Sequence, residues 1–341
     1  MRNIQPASRD AADHVSSGCD IGVAIVNYRS ASLILGLIER WSRELCSAPR
    51  IVEIVVVDND PGELDARVDW LGLPVTYLQS AGNVGYAPAV NAACGRLTTP
   101  YVLLLNPDAE IAIEAVDRMA AVLDSELSVG AVAPLHVDHE GKVTNPYRRI
   151  PSWVDLASHR TRLQRFEWAR RRKRRYLCEE LDGIHAGWPP SEVEQPPASC
   201  LLLRRGAIAD EVMDERFPIL FNDVDLSARL RLGGWRMLVD PRVSCRHEPA
   251  TSTRYLGIQG EAEFYVGAYR FVEKWEGRVR AEAFRTCIIA ELTFAARHQR
   301  GPRAESLLAI RALLRDRSIF DGLNQGDPVR AYWPPGVSVT S

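Results

Sequence analysis

The sequence lacks any apolar run of about 18 residues, so no segment is predicted to cross a membrane as a helix. It has no CxxC pair, and its seven cysteines are scattered and odd in number, which argues against a disulfide framework or a zinc site. GxGxxG and Walker A loops are absent too, which disfavours a dinucleotide oxidoreductase. The N-terminus has no apolar signal core. We therefore expect a cytoplasmic protein.

The composition is that of a soluble globular protein. The chain has 341 residues, of which 46% are hydrophobic and 25% charged, so it can bury a large core. Its net charge of −2 excludes a polycation built to wrap nucleic acid. No nucleic-acid partner is expected.

The first third alternates short apolar strands with helices. Strands are predicted at 21–26, 51–57, 75–79 and 101–105, with a small-residue helix near 87–94. Two further helices follow from apolar residues at helical spacing, Leu33, Leu37, Ile38, Trp41 and Leu45 in one and Ile113, Val116, Met119 and Leu123 in the other. Continuously apolar strands alternating with helices predict a parallel α/β sheet covered on both sides.

Polar residues follow three of these strands. In VLLLNPDAEI (102–111) a buried strand runs into Asn106, Pro107 and Asp108, and Asn27 and Asp58 hold the same position after their own strands. Such residues also suit an ordinary turn. Because ligands of parallel sheets bind at the carboxyl ends of the strands, we expect a ligand at this edge.

The loop SAGNVGYAPAVNAACG (80–95) places Gly82, Asn83, Gly85 and Asn91 between a strand and a helix. Glycines allow a ligand to approach the backbone closely, and the N-terminus of the following helix can face an anion. A glycine-softened turn without a ligand remains the alternative.

The second half is less regular. Residues 151–195 are expected to be irregular and contain a basic run at 160–175, with nine Lys/Arg against one Glu. A solvated surface or an anionic membrane surface would each explain this run. SCLLLR (199–204) and MLVD (237–240) read as strands, and His247 falls in a loop after the second.

Two acids two positions apart, Asp223 and Asp225, lie in FNDVDL before an Arg-rich helical stretch. They also suit a helix N-terminus, where the helix dipole favours them. After about 256 the chain reads as helices, with Phe264, Ala268, Phe271 and Trp275 on one face.

Several motifs follow one another along the chain: DND, NVGYAPAVN, LLNPD, SCLLLRR, FNDVDLSARLRLGGW and a later histidine. This ordered set resembles glycosyltransferase family 2, in its bacterial rhamnosyltransferase-like branch. The resemblance covers about residues 20 to 255. It implies the GT-A fold, a Rossmann-like mixed, mainly parallel sheet with flanking helices, here with a C-terminal helical segment.

The resemblance also implies roles for individual residues. Asp108 would hold Mg²⁺ or Mn²⁺ against the donor diphosphate, with His247 as a further ligand, and Asp223 would be the general base. Asp58 and Asn83 would bind the base and ribose of the donor. The remaining candidates at the donor are Asn27, Gly85, Asn91 and Asn106, and those near the acceptor are Ser199, Asn222, Asp225 and Arg229.

Two positions depart from the family pattern. Ala198-Ser199 stands where the family reads Gly-Ala, which would tighten the acceptor pocket, and Asn222-Asp223 stands where it reads Glu-Asp. We expect the Asn222 amide to donate a hydrogen bond to the Asp223 carboxylate and so to favour its ionised form.

The resulting hypothesis is an inverting, metal-dependent glycosyltransferase that uses a dTDP- or UDP-sugar, with rhamnose as the first guess. Its acceptor hydroxyl would be lipid-linked or belong to a polysaccharide, glycolipid or natural product. A nucleotidyltransferase is the second reading, although NYRSAS (27–32) is not its usual basic loop. The third is a non-catalytic relative that binds nucleotide sugar.

The expected organisation has four parts: a disordered tail at 1–19, a catalytic domain at 20–255, helices at 256–325 and a loose tail at 326–341. Within the domain, 20–135 would bind the nucleotide sugar and 136–255 the acceptor. The expected partners also include an inner membrane surface, contacted through 160–175, and a second copy of the chain.

Overall fold

The computed structural model describes residues 20–44, 50–60, 62, 64, 69–144, 147–178, 184, 186–209, 211–247 and 257–321. The expected tails at 1–19 and 326–341 lie outside these residues, as does Leu45.

Nine strands of the described residues form one mixed sheet. They are β1 (Ile21–Asn27), β2 (Ile51–Asp58), β3 (Val75–Gln79), β4 (Tyr101–Leu105), β5 (Ala109–Glu110), β6 (Val129–Val137), β7 (Ser191–Glu192), β8 (Cys200–Arg204) and β9 (Arg236–His247). The order is β3-β2-β1-β4-β8-β6-β9-β5, and β7 pairs with β9. Strands β3, β2, β1 and β4 are mutually parallel, as expected.

Beyond β4 the sheet changes direction. Strand β8 is antiparallel to both β4 and β6, whereas β6 and β9 run parallel. The two short strands β5 and β7 each pair antiparallel with β9. The expectation of a purely parallel sheet therefore holds for the first four strands, and the mixed sheet implied by the family resemblance describes the whole.

Two features of this half were not expected from the sequence. Strand β6 was not predicted, and β9 continues past Asp240 as far as His247, so His247 is a strand residue and not a loop residue. Both strands contain a proline, which disfavours a strand interior. The register between them shifts after the Pro134–Asp240 pair and resumes at Leu135–Ser244, so one bulge accommodates Pro134 and Pro241.

Helices cover both faces of the sheet. On one face α1 (Ala31–Glu44) and α3 (Ile113–Ser125) pack into the first core cluster; on the other α2 (Tyr86–Cys94) and α6 (Asn222–Leu232) pack into the second. In α1 the buried stripe includes Ile34, Leu37, Ile38 and Trp41, whereas Leu33 is exposed. The helix is confirmed, and its buried face includes Ile34 and not Leu33.

Part of the segment 151–195, which was expected to be irregular, is helical. It forms α4 (Trp153–Arg160), a 3₁₀ turn at 162–165 and α5 (Glu167–Tyr176). Ser152 and Asp155 form a reciprocal capping box at the start of α4, and Glu167 begins α5 and pairs with arginines along the same helix. The helices of this segment are therefore favoured by the acids Asp155 and Glu167, which stand at the N-termini of α4 and α5.

The C-terminal helices are α7 (Gly257–Glu276), α8 (Arg278–His298), α9 (Pro302–Arg315) and the short α10 (Ser318–Asp321). They share a third core cluster with Leu156 of α4 and Val224 of α6. Ala268 and Phe271 are buried there, with Phe264 and Trp275 packed against it, as the helical spacing predicted. This cluster supports the start of α6, which carries Asp223.

Candidate active site

Asn27 and Asp58 meet at the ends of β1 and β2. Asn27 Nδ2 donates to Asp58 Oδ1 at 2.8 Å, and the Tyr77 hydroxyl donates to Asp58 Oδ2 at 2.9 Å. The backbone N–H of Asp60 also donates to Asp58 Oδ1, at 3.1 Å. Asn27 and Asp58 are both fully buried. The two predicted residues are therefore together, and their hydrogen bonds fix the loops at this edge of the sheet.

The glycine loop does not leave the N-terminus of α2 open. The carbonyl of Pro218 accepts hydrogen bonds from the N–H groups of Tyr86 and Ala87 at 2.6 and 3.1 Å. Gly85 has φ 94°, and a Cβ there would lie 3.0 Å from the Pro218 carbonyl oxygen, so glycine is required for this approach. The expectation that this helix end faces an anion is wrong, because a backbone carbonyl occupies it.

Asn83 and Asn91 are also bound within the protein. Asn83 Oδ1 accepts the N–H of Gly85 at 3.0 Å. Asn91 exchanges two hydrogen bonds with the backbone of Met213, at 2.8 and 2.9 Å, and so ties α2 to the segment before α6. The amide of Asn91 therefore holds two elements together.

Asp108 and His247 come together at the sheet edge, because Ala109 of β5 pairs with His247 of β9. Asp108 Oδ1 lies 3.4 Å from His247 Nε2, and both side chains are largely buried. Asn106, whose N–H donates to the Ser199 carbonyl at 2.8 Å, has a buried Oδ1 without a hydrogen-bond partner among the described residues.

A second histidine, His136, lies next to His247 and was not among the candidates predicted from the sequence. His136 of β6 is buried, its ring centroid lies 5.7 Å from that of His247 at 88°, and its Nε2 lies 3.1 Å from Ser199 Oγ. Burial, followed by the neighbouring His247, lowers the pKa of His136 to about 4. His136 could have been found only if β6 had been recognised.

Asp223 lies in the first turn of α6, half-buried. Its Oδ2 accepts a hydrogen bond from Gln195 Nε2 at 3.1 Å, and its Oδ1 accepts the N–H of Val224 at 2.8 Å. Burial raises its pKa above the usual aspartate value; the Val224 N–H, the Gln195 amide and the positive charge of Arg148 oppose that rise. A carboxylate with a raised pKa is suited to accept a proton near neutral pH.

Tyr86 links the two acidic positions. Burial raises the pKa of its phenol, with smaller contributions from Cys94, Asp223 and Asp108. The charges of both carboxylates therefore act on the phenol of Tyr86, at the start of α2. Its position in NVGYAPAVN was visible in the sequence, but its role there was not.

Asn222 does not donate to Asp223, contrary to expectation. Its Nδ2 donates to the carbonyls of Ile219 and Phe217 at 2.7 and 3.4 Å. The preceding Phe221 has a left-handed backbone with φ 69°, which turns Asn222 back toward this loop. Gln195 supplies the hydrogen bond that was expected from Asn222.

Asp225 and Arg229 belong to a buried ionic network. Asp225 accepts hydrogen bonds from Lys274 Nζ at 2.6 Å, Trp275 Nε1 at 2.9 Å and Arg229 Nε at 2.9 Å. Arg229 also donates to the carbonyls of Val212 and Glu211. Asp225 therefore joins α6 to α7, and Arg229 joins α6 to the segment at Glu211 and Val212.

Among the residues that the structure describes, no group of three or more His, Cys, Asp and Glu side chains could hold a metal ion by itself. The described residues also contain no helix long and apolar enough to cross a membrane.

Comparison with known proteins finds a family that part of the chain matches. Residues 22–189 match the model for glycosyl transferase family 2. Two curated relatives from *Mycobacterium tuberculosis* strains CDC 1551/Oshkosh and ATCC 25618/H37Rv are both named N-acetylglucosaminyl-diphospho-decaprenol L-rhamnosyltransferase. Each is 29% identical over 233 residues, which is 63% of this chain and 73% of theirs.

Solved structures resemble the chain more weakly. GalNAc-T7 with UDP, GalNAc and Mn²⁺ has a TM-score of 0.49 at 13% identity, covering 79% of this chain and 55% of that one, so this chain spans little more than half of its length. The mannosyltransferase PcManGT from *Pyrobaculum calidifontis*, in complex with GDP-Man and Mn²⁺, has a TM-score of 0.44 at 17% identity, covering 95% and 87%. Residues 22–189 therefore match glycosyltransferase family 2, and the chain, with its mixed sheet and flanking helices, is similar to bacterial rhamnosyltransferases.

Proposed function

We propose that the protein transfers a sugar from a nucleoside diphosphate to an acceptor hydroxyl, with inversion at the anomeric carbon. The observation that carries the proposal is the half-buried Asp223, whose pKa is raised by burial and whose orientation is fixed by Gln195. The family match favours this reaction over nucleotidyl transfer.

The proposed reaction needs one positioned base. Asp223 would take the proton of the acceptor hydroxyl as its oxygen forms a bond to the anomeric carbon, and the nucleoside diphosphate would leave with the electron pair of the broken bond. A single direct displacement inverts the configuration, so no second carboxylate is needed as a nucleophile. Tyr86, near both Asp223 and Asp108, would help to exclude water from the cleft.

The donor set at the sheet edge fits a divalent cation. Asp108 supplies a carboxylate and His247 an imidazole, 3.4 Å apart, and Asn106 Oδ1 is a buried acceptor two residues from Asp108. Mn²⁺ accepts imidazole more readily than Mg²⁺, and oxygens of the donor diphosphate would complete the ligands. When bound, the ion would neutralise the charge of the leaving diphosphate.

We expect Asp108→Ala to abolish transfer and to weaken Mn²⁺ binding, because it removes the carboxylate of this pair. His247→Ala should raise the Mn²⁺ concentration needed for half-maximal activity. Titration of Mn²⁺ by electron paramagnetic resonance, with UDP or dTDP present, measures binding independently of turnover. Mn²⁺ affinity equal to that of the wild type in both variants would remove the pair from the metal site.

The donor and acceptor are proposed from the relatives. Their names specify rhamnose as the transferred sugar and a diphospho-decaprenol-linked N-acetylglucosamine as the acceptor. We propose dTDP-rhamnose as the donor, with UDP-sugars as the alternative, and a lipid-linked acceptor. The exposed Phe166 and Trp168 beside the basic residues of α5 support contact with the inner membrane surface, where such an acceptor lies.

The proposed base is tested by comparing Asp223→Asn with Asp225→Asn. Asp223→Asn should lower the rate of nucleoside diphosphate release with acceptor about 10²- to 10⁴-fold, with little change in melting temperature. Asp225→Asn should instead destabilise the fold by on the order of 3 kcal/mol, because it removes the buried carboxylate that Arg229 and Lys274 share.

The two variants are measured by diphosphate release and by thermal unfolding. Full activity of Asp223→Asn would overturn the assignment of the base. If the wild type releases no diphosphate with any acceptor of a nucleotide-sugar panel, the non-catalytic reading replaces the proposed function.

A further inference from the structure

Helix α7 carries a glycine at its middle, where the segment before α6 packs against it. Gly267 is buried, and a Cβ at this position would lie 2.9 Å from Cδ2 of the Phe221 ring. A glycine inside a helix is less favourable than an alanine. The close approach of Phe221 explains the glycine, because the ring lies where an alanine methyl group would be.

The ring of Phe221 lies in a pocket formed by three residues of α7. Its centroid is 5.3 Å from that of Phe264 and 5.9 Å from that of Phe271, and Gly267 forms the floor between them. Positions 264, 267 and 271 follow one another at spacings of three and four, so they share one face of the helix. Phe221 is 5% exposed, and in a close-packed interior a group that displaces the ring also displaces its backbone. We call these three residues the ring pocket.

The backbone of Phe221 sets the direction in which α6 begins. Phe221 has a left-handed conformation, with φ 69° and ψ 0°, which is unfavourable for a residue with a side chain. Its carbonyl accepts the N–H of Asp225 at 2.9 Å, which begins the hydrogen bonding of α6, and Asp223 lies in this first turn. A strained conformation persists only where the surrounding structure holds it. The ring pocket supplies that support.

Helix α7 also holds both ends of the segment 214–225. Lys274 Nζ donates to Asp214 Oδ2 at 2.8 Å and to Asp225 Oδ1 at 2.6 Å. Trp275 Nε1 donates to the same oxygen of Asp225 at 2.9 Å. These hydrogen bonds fix the ends of the segment, and the ring pocket fixes a residue between them. The start of α6 is therefore attached to α7 at several points.

We propose that Gly267 is a positioning residue for sugar transfer: by leaving space for the Phe221 ring, it fixes the start of α6 and with it the Asp223 carboxylate. The proposal rests on the proposed function, because it takes Asp223 as the base. The position of this carboxylate matters because its Oδ2 accepts the hydrogen bond of Gln195 at 3.1 Å. Helix α7 lies beyond residues 22–189, which match the family model.

Gly267→Ala is compared with Gly36→Ala as a matched control. Gly36 also lies inside a helix, α1, but it is exposed and a Cβ there would meet nothing within 4 Å. Both variants gain the same helix propensity, whereas Gly267→Ala also displaces the Phe221 ring. Because a displacement of about 1 Å can cost about 100-fold in rate, we expect kcat of Gly267→Ala to fall about 10- to 100-fold. Gly36→Ala should keep the wild-type kcat.

The loss should fall on kcat and not on donor binding. The candidate donor residues Asp58 and Asn83 lie at the end of β2 and in the loop after β3. Isothermal titration with UDP or dTDP in the presence of Mn²⁺ should therefore give a Kd for Gly267→Ala within about threefold of the wild type. Wild-type kcat in this variant would overturn the proposal. An equal loss of kcat and of affinity would also overturn it, since the change would then act on the donor side.

A second change, in the ring itself, tests the cause of the loss. Phe221→Gly removes the ring and suits a left-handed backbone. In this background Gly267→Ala should lower kcat no further, because the nearest remaining atom to its methyl group is the Leu220 carbonyl oxygen, at an ordinary contact distance of 3.4 Å. An equal loss in both backgrounds would overturn the proposal, since the methyl group would then act on something other than the ring.

If Gly267→Ala does not fold, Phe264→Leu takes its place, with Phe294→Leu as its control. Both phenylalanine rings lie under an arginine guanidinium, at 4.0 and 3.1 Å, and of the two Phe264 contacts the ring of Phe221. The proposal then requires kcat of Phe264→Leu to be at least about threefold below that of the control. Equal kcat values would overturn it.

Hydrogen exchange gives a readout without turnover. The N–H of Val224 donates to Asp223 Oδ1 at 2.8 Å, so its exchange reports on the start of α6. In the protein without substrates, residues 217–226 should exchange about tenfold faster in Gly267→Ala than in Gly36→Ala. Equal exchange rates would overturn the proposal. If the wild type releases no diphosphate with any acceptor, the proposed function fails, and the exchange rates still decide whether the ring pocket holds α6.

Discussion

Asp223 and Asp225 are two residues apart, and their environments differ completely. Asp225 is fully buried and bound to Lys274, Arg229 and Trp275, whereas Asp223 is half-buried beside Gln195. Residues two apart lie on different faces of a helix, so α6 directs one acid to α7 and the other to the cleft. The sequence could place both acids at a helix start but could not separate their roles, because Lys274 and Gln195 are distant along the chain.

Gln195 is the residue whose effect on Asp223 can be measured most directly. Gln195→Met removes the N–H donor while keeping similar bulk. The hydrogen bond from Gln195 favours the ionised carboxylate, so its loss should raise the pKa of Asp223. The base works only when ionised, so activity is lost as pH falls through this pKa. We therefore expect the acidic limb of the kcat/KM profile to move to higher pH.

Gln195→Glu serves as the matched comparison, because it places a second carboxylate beside the base and should move the acidic limb further in the same direction. The Gln195 Oε1 is buried without a hydrogen-bond partner among the described residues, so the side-chain hydrogen bond that Gln195→Met removes is the one to Asp223. An acidic limb at the wild-type pH in Gln195→Met, with only a uniform loss of rate, would show that Gln195 packs against Asp223 without affecting its ionisation.

At the scale of elements, continuous apolar runs made the first four strands predictable to within a residue or two. Strand β3 and strand β4 have the predicted bounds. The strand that was missed, β6, and the strand that was predicted too short, β9, each contain a proline. Pro134 and Pro241 argue against strands locally, yet they share a single bulge between β6 and β9, and pairing resumes beyond it. Only the pairing of two strands about a hundred residues apart in the chain reveals this, and those strands bring His136 and His247 to the site.

The glycine loop shows a second limit of local reasoning. Its glycines correctly predicted a close backbone approach, but the approaching group is the Pro218 carbonyl of the protein itself and not an anion. The local sequence does not show which distant segment will form hydrogen bonds with the N–H groups at the start of a helix. The ordered motifs indicated the family resemblance because they come from many strands, helices and loops. The hydrogen bonds of single residues could not be predicted from these motifs, because they depend on contacts with distant parts of the chain.

At the scale of the whole molecule, α5 presents an exposed side with aromatic and basic side chains. Outward it exposes Trp168, with Phe166 just before the helix, together with arginines that share one acid: Glu167 pairs with Arg170, Arg171 and Arg174. One carboxylate cannot balance three guanidinium groups, and exposed pairs of this kind contribute little to stability. The net effect is a positive outer face with aromatic side chains at its edge.

This outer face predicts binding to anionic vesicles. Each Lys or Arg near such a surface contributes roughly 1 kcal/mol, so Arg170→Gln/Arg171→Gln/Arg174→Gln should weaken sedimentation with phosphatidylserine-containing vesicles about 100-fold at low salt. The control Arg297→Gln/Arg300→Gln/Arg303→Gln removes as much charge from the region of α8 and α9 and should bind as the wild type does. Binding should also fall as salt is raised. Equal sedimentation of the wild type with anionic and neutral vesicles would rule out the membrane contact, since the charges would then have no effect.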